Sequence, residues 1–257
     1  MTRPRSVPIT EFEGATLVST DSAAAPTIVL VHGAFADSSS WNGVVERLRA
    51  QGYPVISAAN PLRGLDSDAA YVASVLDGIE GPCVLVGHSY GGSVITVAAA
   101  AKSNVNALVY IAAFIPDEGE SALQLTDKFP GSTLGPTTRP ASYPLTDGGT
   151  GTELYIRQEE FHQQFAADVS AATAELMAAT QRPVALDALQ QPASATAWRN
   201  VPAFALVTTE DTNIPVQAQR FMAERAGAHT VELSASHAVS VSRPDAVSDL
   251  IIRAAKQ

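Results

Sequence analysis

Three side chains in this sequence have the types and the order that covalent catalysis by an activated hydroxyl requires. The stretch "CVLVGHSYGGSVITVAAAAK", Cys83 to Lys102, is an apolar run that breaks at Gly87-His88-Ser89-Tyr90-Gly91-Gly92 and resumes with helix-like composition. A strand turning sharply into a helix drives the turn residue toward strained backbone angles, and small residues two before and two after it, Gly87 and Gly91, relieve the crowding. The Ser89 hydroxyl then stands clear at the amino end of the helix, where unsatisfied N–H groups and the helix dipole favour a developing oxyanion. Serine becomes nucleophilic when a base takes its proton, and the usual base is a histidine oriented by a carboxylate. Of the five histidines, His32 and His88 abut glycines in turn motifs, His162 lies in a helical pattern and His229 precedes a strand. His237, in "SASHAVSVSRP", alone follows the last strand, on a loop at the sheet edge that Ser89 also occupies. For the carboxylate, "ALVTTEDTNIPVQ" ends the preceding strand with Glu210 and Asp211. Asp211 is the first choice, Glu210 the second, and Asp117, just after a strand ending at Phe114, the third.

The elements that must position these groups alternate between short β-branched runs and helix-period segments, the mark of parallel strands joined by crossover helices. Strands are predicted over 27–31, 55–58, 83–87, 107–114, 203–209 and 230–235, a mostly parallel α/β sheet of about six strands with helices on both faces. A helix from about Trp41 carries Val44, Val45 and Leu48 on one face and stops at Gly52. A second opens at Ser67, with Val72, Val75, Leu76 and Ile79 as its stripe. The last begins near "SRPDAV", capped by Ser242, with Pro244 in its first turn and Val247, Leu250, Ile251 and Ala254 inward. Serines 38 to 40 read as caps for the helix at Trp41. Between Phe114 and Ala203 the alternation lapses. Residues 129–152, rich in Pro, Gly, Ser and Thr, read as loop, and helical patterns follow near 153–166, 169–181 and 183–190. Within a single domain over 1–257, residues 116–197 are therefore expected to form a helical cap insertion over the carboxyl ends of the strands.

Composition limits the function classes. The chain of 257 residues is 46% hydrophobic and 16% charged, enough to fill one large core. Its formal net charge of -10 and lack of a Lys/Arg cluster argue against nucleic acid or an anionic membrane as partner. Cys83 is the sole cysteine, so no intrachain disulfide forms, and its strand-like setting suggests a small buried hydrophobe. The first twenty residues lack an apolar h-region and no apolar run reaches membrane-spanning length, so a cytoplasmic location is expected. No metal-ligand spacing or phosphate loop occurs, and no cofactor is expected.

With "LVHGAFADSSSW" after the first core strand, "GHSYGG" at the strand-to-helix turn, "DTNIP" after the penultimate strand and "SH" after the last, the chain resembles the α/β-hydrolase superfamily. The likeness is to the compact branch of small carboxylesterases, plant methyl esterases and hydroxynitrile lyases, and it covers roughly residues 26 to 255. It implies an α/β-hydrolase fold with Ser89 as nucleophile, His237 as base and Asp211 as orienting acid. It also implies an oxyanion hole made by the backbone N–H groups of Ala34 and Tyr90. Lyases of this branch carry threonine and lysine where this chain has Gly33 and Ala238, and an aspartate nucleophile, as in related epoxide hydrolases, is replaced by Ser89. The expectation is a serine hydrolase, a carboxylesterase cleaving small to medium apolar esters through an acyl-enzyme. Its alternatives are a receptor-like binding protein with vestigial turnover and a cofactor-free perhydrolase or lyase. The expected partner is a small-molecule ester; the sequence leaves the oligomeric state open. Phe35, Phe161, Phe165 and Met177 are candidates for the pocket wall, with Leu154 and Leu176, although the helical spacing of the cap residues equally suits packing of the cap onto the body.

Overall fold

The computed structural model describes residues 25–257, and the reading of the first twenty residues lies outside that range. Six strands form a parallel sheet: β1 (Thr27–Val31), β2 (Val55–Ala58), β3 (Cys83–His88), β4 (Val105–Ile111), β8 (Ala203–Thr208) and β9 (His229–Leu233), in the order β2, β1, β3, β4, β8, β9. Alternation along the strands divides the core between the two faces of the sheet. Val29, Val31, Leu85 and Leu108 pack beneath α2 (Leu65–Asp77), α3 (Tyr90–Ala98) and α9 (Val216–Arg225). Ile28, Leu30, Val84, Val86 and Val109 pack beneath α1 (Asn42–Ala50), the short α10 (Val239–Ser242) and α11 (Pro244–Ala255). Burying one such side chain contributes about 1.5–3 kcal/mol, so the two faces hold the carboxyl edge in place. Among the described residues no helix is long and apolar enough to cross a membrane.

Element boundaries differ from the pattern reading where local hydrogen bonds override it. The strand expected to reach Phe114 stops at Ile111, because Ala112 takes a positive φ of 44°. Helix α2 begins at Leu65, and the Ser67 hydroxyl, expected to cap it, instead donates to the Gly64 carbonyl at 2.9 Å. Serines 38–40 form a 3₁₀ turn with Trp41, and the cap is Asp37, whose carboxylate accepts from the Ser39 N–H at 2.8 Å. Pro244 does open α11, but Ser242 is not its cap and donates to Asp168 at 2.8 Å.

The chain between β4 and β8 holds α4 (Ala122–Asp127), α5 (Leu134–Thr137), β5 (Thr138–Pro144), β6 (Thr150–Ile156), α6 (Gln158–Phe165), α7 (Ala171–Thr180), β7 (Val184–Ala185) and α8 (Leu186–Gln190). The reading of 129–152 as loop is thereby corrected: β5 and β6 form an antiparallel hairpin, and β7 pairs with β6. Residues 153–156, expected to be helical, belong to β6. Thr150, Thr152, Tyr155 and Ile156 favour a pleated surface, and Arg139 lies across the ring of its cross-strand partner Tyr155 at 4.6 Å. Pro140 and Pro144 obscured the strand in the sequence, yet β5 is an outer strand, where a missing N–H costs no ladder bond. The hairpin is tied to the body by Arg63, which donates to Glu153 at 2.6 Å and lies over the Tyr143 ring at 4.5 Å. The other Glu153 oxygen accepts from the Tyr155 hydroxyl at 2.9 Å.

Glu153→Ala is expected to raise amide exchange across residues 138–156 about tenfold, or about 1.4 kcal/mol of local opening, while β3 and β4 keep their protection. Hydrogen-exchange mass spectrometry checks this; unchanged exchange in the hairpin would show that the ion pair does not hold it.

Candidate active site

Ser89 links β3 to α3 with φ 54° and ψ -125°, a strained combination for a residue with a side chain. Neighbouring backbone enforces it: the Ser89 N–H donates to the Ile111 carbonyl at 3.2 Å, and its carbonyl accepts from the Gly92 N–H at 2.9 Å and the Phe114 N–H at 3.2 Å. A Cβ on Gly87 would sit 2.5 Å from the Gly91 carbonyl oxygen, so the sharp turn demands the small residues on either side of the serine. Ser89 and His237 line one cavity of about 290 Å³. Among the described residues no hydrogen bond joins the serine hydroxyl to the imidazole.

The three carboxylates weighed from the sequence occupy different places. Asp211 meets His237: Nδ1 donates to Oδ2 at 2.7 Å, with both side chains buried. That proton assignment leaves the lone pair on Nε2. The turn "DTNIP" wraps the other Asp211 oxygen, which accepts from the Asn213 and Ile214 N–H groups at 2.8 and 3.0 Å. Gln219 on α9 and the Thr208 hydroxyl donate to Oδ2 at 3.0 and 3.1 Å. Glu210, one residue away, accepts from the Ser234 hydroxyl. Asp117 makes a two-pronged pair with Arg199, 2.7 Å to each oxygen.

Ala34 and Tyr90 line the cavity, and among the described residues neither backbone N–H donates to another protein group. The Tyr90 hydroxyl donates to Asp68 at 2.9 Å. Burial raises the Asp68 carboxyl above its ordinary range, partly offset by the Arg63 N–H and the Tyr90 hydroxyl. Phe35 and Phe165 reach the cavity, with Leu154, whereas Phe161 and Met177 do not. Phe161 is buried behind Phe165, stacked on it at 5.0 Å, and Met177 lines a separate depression of about 210 Å³ with Leu176 on the far side of Phe35. Both therefore drop out as wall residues, because the helical period gives a side chain's face but not which cavity that face meets. Leu123, Leu134, Leu186 and Leu189 complete the apolar wall. Among the described residues no group of three or more His, Cys, Asp or Glu converges as a metal-ligand set.

Two supports of the His237 loop escaped the motif reading. Asp168, between α6 and α7, accepts from the Ser236 N–H at 3.1 Å, from the Ser236 hydroxyl, and from Ser242. Burial acts to raise the Asp168 carboxyl, but these serine donors outweigh it and hold the carboxyl below its ordinary range. His88, from the other side, lies 2.8 Å from the His237 carbonyl. The period-two alternation that buries Val84 and Val86 extends to His88, so its inward placement was available in the sequence; the Asp168 contact, between residues 68 apart, had no local signal.

A sequence profile of the alpha/beta hydrolase family matches residues 28–250. The pyrethroid hydrolase of Sphingobium wenxiniae is 28% identical over 245 residues, covering 87% of this chain and 85% of that enzyme. The carbendazim hydrolyzing esterase of Nocardioides sp. is 34% identical over 113 residues, 39% of this chain and 47% of that protein, so the matched part spans about half of that relative. Among solved structures, polyneuridine aldehyde esterase aligns with a TM-score of 0.77 at 20% identity over 89% of this chain and 98% of that one, a likeness of fold.

The buried histidines at this edge contribute to acid stability. Burial, the leading cause, lowers His32 to about 4, and lowers His88 well below the ordinary histidine range. Below about pH 6.5 the unfolded chain protonates these side chains while the folded protein does not, so stability rises with pH across this window and is lost as pH falls from about 6.5 to 4. His32 alone is expected to remove on the order of 3 kcal/mol by pH 4, read from urea midpoints at successive pH values. A midpoint that does not move between pH 7 and 5 contradicts this.

Proposed function

The chain belongs to the alpha/beta hydrolase family, and from that premise we propose that it is a serine carboxylesterase acting on small to medium apolar esters. The observation that carries this reading is that His237, hydrogen-bonded to Asp211, lines one apolar cavity together with Ser89. In the proposed reaction His237 Nε2 takes the Ser89 proton as Oγ attacks the ester carbonyl, and Asp211 stabilises the imidazolium that forms. The Ala34 and Tyr90 N–H groups hold the oxyanion; their freedom from other partners supports that role. The imidazolium then protonates the departing alcohol, leaving an acyl group on Ser89, and water activated by His237 releases the acid.

We propose that residues 116–197 act as the cap of this site, since Leu123, Leu134, Leu154, Leu186 and Leu189 from that segment form much of the cavity wall. The names of the relatives, an esterase and a pyrethroid hydrolase, support ester hydrolysis as the reaction class. A lyase reading finds less support. A Cβ on Gly33 would lie 2.6 Å from the Ser89 Cβ, so the lyases' threonine has no room, and Ala238 offers no charge where they carry lysine.

Ser89→Ala is expected to lower hydrolysis of a chromogenic ester panel by several orders of magnitude with folding intact, and a fluorophosphonate should label the peptide containing Ser89. A folded variant with a small loss, or label elsewhere, refutes the nucleophile. Asp211→Asn should cost at least about a hundredfold in kcat, since Glu210 and Asp117 are engaged elsewhere. Glu210→Gln and Asp117→Asn should each cost less than about tenfold. A crippling Asp117→Asn would move the acid to the end of β4.

A further inference from the structure

Buried at the carboxyl end of β3, His88 is a titratable side chain in contact with the base that the ester chemistry does not itself use; it is 1% exposed. Its Nε2 lies 2.8 Å from the His237 backbone oxygen, and the two imidazole centroids are 4.7 Å apart. A carbonyl oxygen only accepts, so Nε2 carries the hydrogen and Nδ1 the lone pair. The titratable groups that shift His88 are His237, from the loop after β9, and His32, from the end of β1; Trp41 and Phe165 present their rings edge-on at 6.2 Å. Burial and the neighbouring His237 keep His88 neutral, in agreement with the tautomer that the hydrogen bond requires.

We propose that His88 is a positioning residue for the base: its Nε2–H holds the His237 carbonyl, and through it the main chain from which the His237 imidazole reaches Ser89. The proposal rests on the reading of His237 as base. Asp211 anchors the imidazole at Nδ1, and Phe165 packs edge-on against the ring at 4.9 Å. The His88 contact supplies a second anchor on the backbone of the same residue. His88 and Ser89 are also consecutive, so the end of one strand carries the nucleophile and grips the base directly, beside the Asp168 contacts that hold the neighbouring Ser236. A neutral donor suits the task, because a permanent cation this close would oppose the imidazolium formed when Ser89 loses its proton.

The test compares His88→Gln, which keeps an N–H at similar reach, with His88→Leu, which removes it. Each is read by ester turnover and by the rate of fluorophosphonate labelling at Ser89, per mole of folded protein. His88→Leu should lower kcat and the labelling rate about tenfold to a hundredfold with KM within about threefold, and His88→Gln should recover most of that loss. Labelling of the leucine variant at the wild-type rate overturns the proposal, as does a folded glutamine variant as slow as the leucine one. Should the leucine variant not fold, nitrogen-15 NMR of the wild-type side chain decides: a His88 ring protonated at Nε2 alone from pH 5 to 8 is expected, and a ring protonated at Nδ1, or titrating in that range, overturns it. Wild-type protein that takes no label at Ser89 refutes the nucleophile reading, while the NMR result still decides whether His88 donates.

Discussion

The 2.7 Å hydrogen bond between His237 and Asp211 is the contact around which this end of the molecule is built. A carboxylate taken out of water needs donors for its remaining lone pairs or it ceases to be a carboxylate. Asp211 obtains them from the two N–H groups of its own turn, from Gln219 and from Thr208, so β8, the "DTNIP" turn and α9 are all committed to one side chain. The histidine is held just as fully, by Asp211 at the ring, His88 at the carbonyl and Asp168 through the residue before it. Phe165 closes the remaining side, edge-on to the imidazole at 4.9 Å.

The inner strands were legible because both faces of the sheet are buried there. A continuous apolar run marked β1 to the residue, and the short run at Val55–Ala58 marked the edge strand β2. Asp211, not Glu210, meets His237, and the turn that follows it holds its carboxylate through the Asn213 and Ile214 N–H groups. The excursion between β4 and β8 was less legible. Its hairpin is half exposed and proline-bearing, so composition pointed to loop, while the registry of Arg139 with Tyr155 and the reach of Arg63 to Glu153 are settled by pairing across the sequence. Phe161 and Met177 show the same limit: amphipathic spacing located their face, but the tertiary arrangement decided that neither reaches the Ser89 cavity.

The excursion and the His237 loop are not separable units. Asp168 and Phe165 both come from it and both touch the loop that carries His237. Moving these helices away from the body would strip the Ser236 N–H and hydroxyl of their acceptor and uncover one face of the imidazole. Opening of the cavity from this side and disorder of His237 are thus coupled, whereas the hairpin has its own tie to the body through Arg63.

The prolines of β5 bear on how copies of the chain meet. Alternate residues of an antiparallel strand turn their N–H groups toward the partner strand, and a proline cannot occupy those positions, so Pro140 and Pro144 face the free side of the three-stranded sheet. An incoming strand would find two of its acceptors unmatched within five residues, in a segment otherwise well suited to strand addition. The outer edge of the hairpin is therefore closed to sheet extension, which protects an esterase-like scaffold with an exposed β-ribbon from zipping into chains of its own kind.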